Sequence, residues 1–147
     1  MRVENGVKVD AARCSAVTAS QLAWLSTDWQ PFAAFAKACA VKHGTAQLFL
    51  ISVWVDDYEA KLAKDAPAPK YPKPVIASVD GKILGRLPLV FPRDPPKSSE
   101  VTFGKWADGL PREIRVDVED PALGGNRTLW LDWDVHANSF VQVKKKQ

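Results

Sequence analysis

Residues 46–55 read Ala-Gln-Leu-Phe-Leu-Ile-Ser-Val-Trp-Val, the most strongly β-favouring segment of the chain. It is short, almost wholly apolar and rich in residues that favour strands. A half-exposed strand would alternate polar and apolar side chains, so an uninterrupted apolar run indicates a strand buried on both faces. We therefore expect a central strand here.

The segment before this strand predicts the main helix of the chain. Asp28 is a good N-cap residue, and Pro31 falls in the first turn, where its missing N–H costs nothing. Apolar residues then recur at helical spacing: Phe32, Phe35, Ala36, Cys39 and Ala40. This spacing predicts a helix from about Trp29 to His43, with its apolar face buried against the strand at residues 46–55.

The chain after residue 65 carries the patterns of further strands. Asp80-Gly81, between apolar stretches at 75–79 and 82–87, predicts a hairpin with a type I′ turn. Residues 113–119 alternate between apolar and charged side chains, as a half-exposed strand does. A small hairpin or a terminal strand is expected at residues 2–9, where Asn5-Gly6 is flanked by valines. Further strands are expected at residues 100–106, 128–135 and 140–144.

These patterns predict an α+β, β-rich fold. One N-terminal helical segment should pack on a mostly antiparallel sheet or sandwich of about seven strands. The length of 147 residues suits a single domain over residues 1–147, because residues 1–64 alone would hold too small a core.

Composition excludes several classes of protein. With 46% hydrophobic and 25% charged residues, the chain is not mostly disordered, and no window approaches the ~18 apolar residues of a membrane span. Three lysines at 144–146 account for the net charge of +3. The rest of the chain is therefore close to neutral and lacks the basic surface typical of a protein that binds nucleic acid. The N-terminus lacks the apolar core of a signal peptide. The expected location is the cytoplasm, or the periplasm if Met1 replaces a removed leader.

Two cysteines, Cys14 and Cys39, are too few for a disulfide-dense scaffold or a four-cysteine zinc site. They could form one bridge, which would stabilise the fold by ~3 kcal/mol, or remain reduced as small buried hydrophobes. If the protein is exported, we expect the bridge, with Cα atoms about 4.4–6.8 Å apart.

The strand at residues 128–135 carries the sharpest candidate for chemistry. Side chains alternate along a strand, so Asp132, Asp134 and His136 could share one face as metal ligands or as an acid–base cluster. A simpler interpretation makes the two aspartates a solvated face, opposite a core face of Leu129, Leu131, Trp133 and Val135. Because a turn near His136 removes its side chain from that face, we expect no metal there.

Trp130 should lie beside Asp132 and Asp134, on the face opposite Trp133. A tryptophan among carboxylates is typical of an interface anchor or a sugar-stacking platform, unless a second layer covers it and makes it core. The chain has six tryptophans in all, more than its length usually carries.

Two other groups of residues are weaker candidates. Asp56 and Asp57, followed by Glu59, form an acidic cluster at the end of a strand, which could bind a cation or a basic partner or cap a helical turn. Cys39 and His43 are spaced to share a helix face, but Cys39 belongs to the apolar stripe. No nucleophile elbow and no phosphate-binding motif occurs in the sequence.

The sequence therefore favours a non-enzymatic binding protein that has no cofactor and binds a protein partner rather than a small-molecule ligand. By analogy of size and composition, the most specific hypothesis is a bacterial inhibitor or immunity-type protein that binds a protein partner. The candidate binding residues are Trp130, Asp132, Asp134, Asp56 and Asp57. The alternatives are a carbohydrate-binding module with exposed tryptophans and a small metal-dependent enzyme centred on Asp132, Asp134 and His136. A protein binder should lack a concave pocket, a sugar binder should have a tryptophan-lined groove, and an enzyme should have a carboxylate–histidine pocket.

Overall fold

A computed structural model describes residues 6–54, 58–67, 69–87, 99–120 and 125–144, and of these all side chains but those of residues 11, 99, 118–120 and 125–127. The strands are β1 (Val7–Lys8), β2 (Cys14–Ala16), β3 (Ala36–His43), β4 (Ala46–Val53), β5 (Val75–Ser78), β6 (Ile83–Arg86), β7 (Ser99–Gly104), β8 (Glu113–Asp120), β9 (Gly125–Asp134) and β10 (Ser139–Val143). The helices are α1 (Ala19–Leu22) and two 3₁₀ helices, at Ala11–Arg13 and Thr27–Phe35.

The strands form two antiparallel sheets of five. Sheet A has the order β1-β7-β8-β9-β10, and sheet B has the order β2-β3-β4-β5-β6. The β-rich prediction is confirmed, but the figure of about seven strands is wrong: the described residues hold ten. The strands that the sequence analysis missed are β2, whose three residues are too few for a periodic pattern to identify, and β3, whose residues were predicted to be helical.

The predicted helix over residues 29–43 is also wrong. A 3₁₀ helix ends at Phe35, and the chain continues as β3, which pairs with β4 from Ala36↔Val53 to His43↔Ala46. Alternating small residues in Ala-Lys-Ala-Cys-Ala-Val fit a strand as well as a helix. Pairing with the strongly β-favouring β4 decides between the two, because tertiary context overrides a weak local preference.

The main core lies between the two sheets. Leu50 and Ile76 of sheet B and Phe103, Ile114 and Leu131 of sheet A belong to one cluster of buried side chains. Each of these five side chains is completely shielded from solvent. Burial of this apolar surface is the largest stabilising contribution to the fold.

A second cluster lies on the other face of sheet B. Ile51 and Val53 of β4 belong to it, whereas Leu48 and Leu50 of the same strand belong to the main core. The expectation that this strand is buried on both faces is therefore confirmed. Phe32 closes the cluster, with ring centroids 4.9 Å from Tyr58 and 5.3 Å from Tyr71.

The helical segments and the chain around Tyr58 and Tyr71 thus form a layer over sheet B. Phe35, which the helical pattern placed in the core, is only half-buried, at the edge of this layer. The described helices lack the combination of length and apolar character that a membrane span requires.

Candidate functional site

Trp130 lies on the outer face of sheet A, opposite the fully buried Leu131. It is nevertheless only 7% exposed. The Arg115 guanidinium lies 5.6 Å from the indole centroid, and Arg115 is in turn held by Asp117 at 3.0 Å. Of the alternatives left open for Trp130, the structure therefore shows a buried residue, covered by Arg115 of β8, and not an exposed stacking platform.

The three proposed metal ligands do not come together. Asp134 turns back on the chain, where its Oδ1 accepts hydrogen bonds from the backbone N–H groups of His136 (2.9 Å) and Ala137 (3.3 Å). His136 is exposed in the turn that follows β9. Within the described ranges, no three His, Cys, Asp or Glu side chains are grouped so that they could hold a metal ion. Asp134 is thus a turn-capping residue, and Asp132 is half-buried on β9.

The prediction that Val135 faces the core is wrong. Its side chain is 70% exposed, because β9 ends at Asp134 and the turn begins at Val135. Asp56 and Asp57 lie outside the described residues. Glu59, which follows them, accepts a hydrogen bond of 2.7 Å from the Tyr71 hydroxyl.

The two cysteines are bonded in the structure, with an S–S distance of 2.03 Å. They face each other directly on neighbouring strands, in the register Cys14↔Cys39. Their Cα atoms are 3.9 Å apart, which is closer than the expected range. A pairing of Cys39 with His43 is excluded as well, since residues four apart on a strand are separated by about 13 Å.

A cavity of about 630 Å³ opens beside α1, over the outer face of sheet B. This volume is typical of pockets that hold small molecules. We call it the tryptophan cavity, because Trp24 and Trp29 form part of its wall. Its lining residues are Trp24, Leu25, Ser26, Asp28, Trp29, Pro72, Lys73, Val75, Ile83 and Arg86.

Local sequence places the two tryptophans. Thr18 and Gln21 form a capping box that starts α1, with hydrogen bonds of 3.1 and 2.9 Å between each side chain and the other residue's backbone N–H. The short helix carries the chain into Trp24, which remains partly exposed, and the following 3₁₀ helix buries Trp29. Trp29 is therefore a fixed part of the wall, and Trp24 is the tryptophan with accessible surface.

Trp24 is held by the β5–β6 turn. Gly81 in that turn has φ +96°, and a Cβ there would lie 2.4 Å from Trp24 Nε1. The residue must be glycine for two reasons, since other side chains rarely adopt this backbone conformation and no space exists for one. The predicted Asp80-Gly81 hairpin thus also shapes the cavity wall. Its turn is not the predicted type I′, because that type needs a positive φ at both residues and only Gly81 has one.

Replacing Gly81 with alanine should strain the turn and displace Trp24. We expect the free energy of unfolding to fall by about 1–3 kcal/mol, measured by chemical denaturation. Gly44→Ala is the matched control, since Gly44 also has positive φ but its Cβ would meet nothing within 4 Å. Equal losses in the two variants would contradict the contact with Trp24.

Electrostatics stabilise the same turn. The Ser78 hydroxyl donates a hydrogen bond to Asp80, which lowers the pKa of that carboxyl below its usual value. Because the bond favours the charged form, its contribution to stability is present above the usual pKa. The contribution is lost as pH falls through the lowered pKa of the folded state.

The polar part of the cavity combines one carboxylate with two cations. Ser26 donates its hydroxyl hydrogen to Asp28 Oδ1. Lys73 and Arg86 are both exposed, and across the described parts of the chain neither forms an ion pair or a side-chain hydrogen bond. The acidic group is thus already engaged, whereas the two cations face solvent.

A second cavity of about 320 Å³ adjoins the first. It lies where β6, at the edge of sheet B, approaches β10, at the edge of sheet A. Its lining residues are Lys73, Arg86, Leu87, Ala137, Asn138, Ser139, Phe140, Val141 and Gln142. Lys73 and Arg86 therefore belong to both cavities.

Comparison with known proteins identifies no relative: no family model, no curated protein and no solved structure matches the chain. Its function is therefore inferred from the geometry of these two cavities.

Sequence reasoning missed the residues of this site. The abundance of tryptophan was a usable signal, but it directed attention to Trp130 rather than to Trp24. Lys73 ends a proline-rich loop and Arg86 ends a short strand, so no spacing along the chain connects either cation with Trp24. Only the packing of the helical layer on β5 and β6 brings them together.

Proposed function

We propose that this chain is a non-enzymatic binding domain that holds a carbohydrate in the tryptophan cavity. The observation that carries the proposal is a cavity of sugar-binding chemistry: a partly exposed Trp24 indole beside Ser26, Asp28 and Arg86. The apolar face of a sugar ring packs on an indole, and its hydroxyl groups exchange hydrogen bonds with carboxylate, hydroxyl and guanidinium groups. The cavity thus resembles the tryptophan-lined groove expected of a sugar binder more than the flat surface expected of a protein binder.

The wall of the cavity is also rigid enough to orient a bound ligand. Trp29 and Val75 are buried in the cluster on sheet B, so that part of the wall is rigid. Ser26 and Asp28 are tied to each other at the start of the 3₁₀ helix. A ligand that meets preorganised groups loses less free energy to ordering the protein, which raises affinity.

Binding to a panel of neutral and acidic oligosaccharides, followed by calorimetry on the best of them, tests the proposal. Trp24→Ala should weaken binding by about tenfold or more, since a stacked aromatic contributes on the order of 1–3 kcal/mol. Trp106→Ala is the matched control, because Trp106 stacks on His43 at 4.8 Å and lines neither cavity. It should leave affinity unchanged.

Thermal melting of both variants separates a lost contact from a lost fold. If Trp24→Ala unfolds, Trp24→Phe retains part of the aromatic face and should bind with intermediate affinity. The proposal fails if no saccharide in the panel binds, or if the Trp106 variant loses as much affinity as the Trp24 variant.

A protein partner is the second candidate, and the outer face of sheet A favours it. Arg115 is held in place by Asp117 and by the ring of Trp130, and Thr128 donates a 2.7 Å hydrogen bond to the same Asp117. Fixed arginines are common anchors of protein interfaces. This second candidate keeps the hypothesis of an inhibitor or immunity-type protein. The residue that would contact the partner is Arg115 instead of Trp130. A partner that needs Arg115 but is indifferent to Trp24→Ala would favour it.

A further inference from the structure

The two cavities meet at their cations. Lys73 and Arg86 line both of them, and both side chains are exposed. Their positions come from different elements, since Arg86 ends β6 and Lys73 lies two residues before β5. A ligand group at this junction would therefore contact two separate elements at once.

Cations outnumber carboxylates at the junction. Among the described lining residues of the tryptophan cavity the acidic one is Asp28, which accepts the Ser26 hydrogen and forms no ion pair with Lys73 or Arg86. Among the described lining residues of the second cavity, none is acidic. Two cations without a carboxylate partner attract an anion, and the planar guanidinium of Arg86 can hold a carboxylate through two parallel hydrogen bonds.

The second cavity differs in character from the first. It is lined by β10 and its preceding turn, where Asn138, Ser139 and Gln142 supply amide and hydroxyl groups. Such neutral donors and acceptors suit further sugar hydroxyl groups. A ligand anchored at Arg86 can thus extend in both directions, toward Trp24 on one side and toward β10 on the other.

We propose that the ligand is an acidic oligosaccharide. One carboxylate binds Arg86 and Lys73, one neighbouring sugar ring packs on Trp24, and the chain continues along β10 into the second cavity. This inference rests on the proposed function and adds to it the charge and the length of the sugar.

A uronic-acid tetrasaccharide and its methyl ester are the decisive pair of probes. The ester has the same rings and the same length but no carboxylate charge. We expect the acid to bind about tenfold more tightly than the ester at low salt, and most of this difference should disappear at about 0.5 M salt through screening. A uronic-acid disaccharide offers half as many rings to the two cavities and should bind more weakly than the tetrasaccharide.

Arg86→Gln and Lys73→Gln should each reduce the preference for the acid over the ester, and the double variant should bring it to within about twofold. Lys82→Gln is the matched control, since Lys82 is exposed beside the same hairpin and lines neither cavity. It should retain the full preference. All three sites are exposed, so these variants should fold, and equal melting temperatures verify this.

The outcomes separate this inference from the function on which it rests. Equal binding of acid and ester overturns the acidic ligand while carbohydrate binding stands. Absence of binding by every saccharide overturns both. A glutamate tetrapeptide that binds through Arg86 more tightly than the tetrasaccharide would replace the sugar with an acidic peptide and overturn the proposal.

Discussion

Phe103→Ala is expected to lower the free energy of unfolding by about 3–5 kcal/mol. Phe103 is completely buried on β7, in the cluster that joins the two sheets. Its removal costs the transfer free energy of the ring and leaves a cavity between elements that cannot collapse, because both sheets are fixed by their backbone hydrogen bonds. Urea denaturation followed by circular dichroism measures the loss.

Phe35→Ala is the matched control for this prediction. The same atoms are removed, but Phe35 is half-buried at the edge of the layer over sheet B. The loss of stability should be clearly smaller than for Phe103→Ala, although the helical pattern placed Phe35 in the core. If Phe35→Ala proved as costly as Phe103→Ala, the main stabilising contact would lie in the helical layer rather than between the sheets.

Opening the Cys14–Cys39 bond is expected to lower the free energy of unfolding by about 3 kcal/mol. The bond closes a sequence separation of 25 residues, so reduction restores freedom to that loop in the unfolded chain. It also ties the edge strand β2 to β3. Melting with and without a reductant tests this without changing side-chain volume.

The same loop contains Trp24 and Trp29, so reduction should also weaken binding at the tryptophan cavity. A double variant, Cys14→Ala with Cys39→Ala, serves as the control, because it should melt like the reduced protein and no longer respond to the reductant. Identical melting of the oxidised and reduced wild-type protein would show that pairing of β2 with β3 is stable on its own.

Strong local patterns were sufficient for much of sheet A and for the centre of sheet B. Alternation at 113–119 predicted β8 with Ile114 and Val116 buried. The Asp80-Gly81 pair predicted the β5–β6 hairpin, and the apolar run at 46–55 predicted β4. In each case one dominant signal agreed with the final environment, because burial and the position of a turn are encoded in adjacent residues.

The sequence failed where two patterns overlapped. Residues 36–43 satisfied helical spacing, yet became β3 because β2 and β4 supply hydrogen-bond partners on both edges. Trp130 was placed on the correct face of β9, but its exposure was decided by Arg115, which is a neighbour only across the strand pair. Neither outcome depends on residues close in the chain.

Consecutive residues were thus enough to predict the β-rich class, the doubly buried strand β4 and the hairpin turn at Gly81, since each depends on local chemistry. Tertiary packing was needed to divide the ten described strands into two sheets and to place Trp24, Lys73 and Arg86 around one cavity. This difference arises because a binding cavity is a gap left between packed layers. Its walls come from elements that contact each other only when the apolar faces of sheet B are buried, and local periodicity does not predict which elements make these contacts.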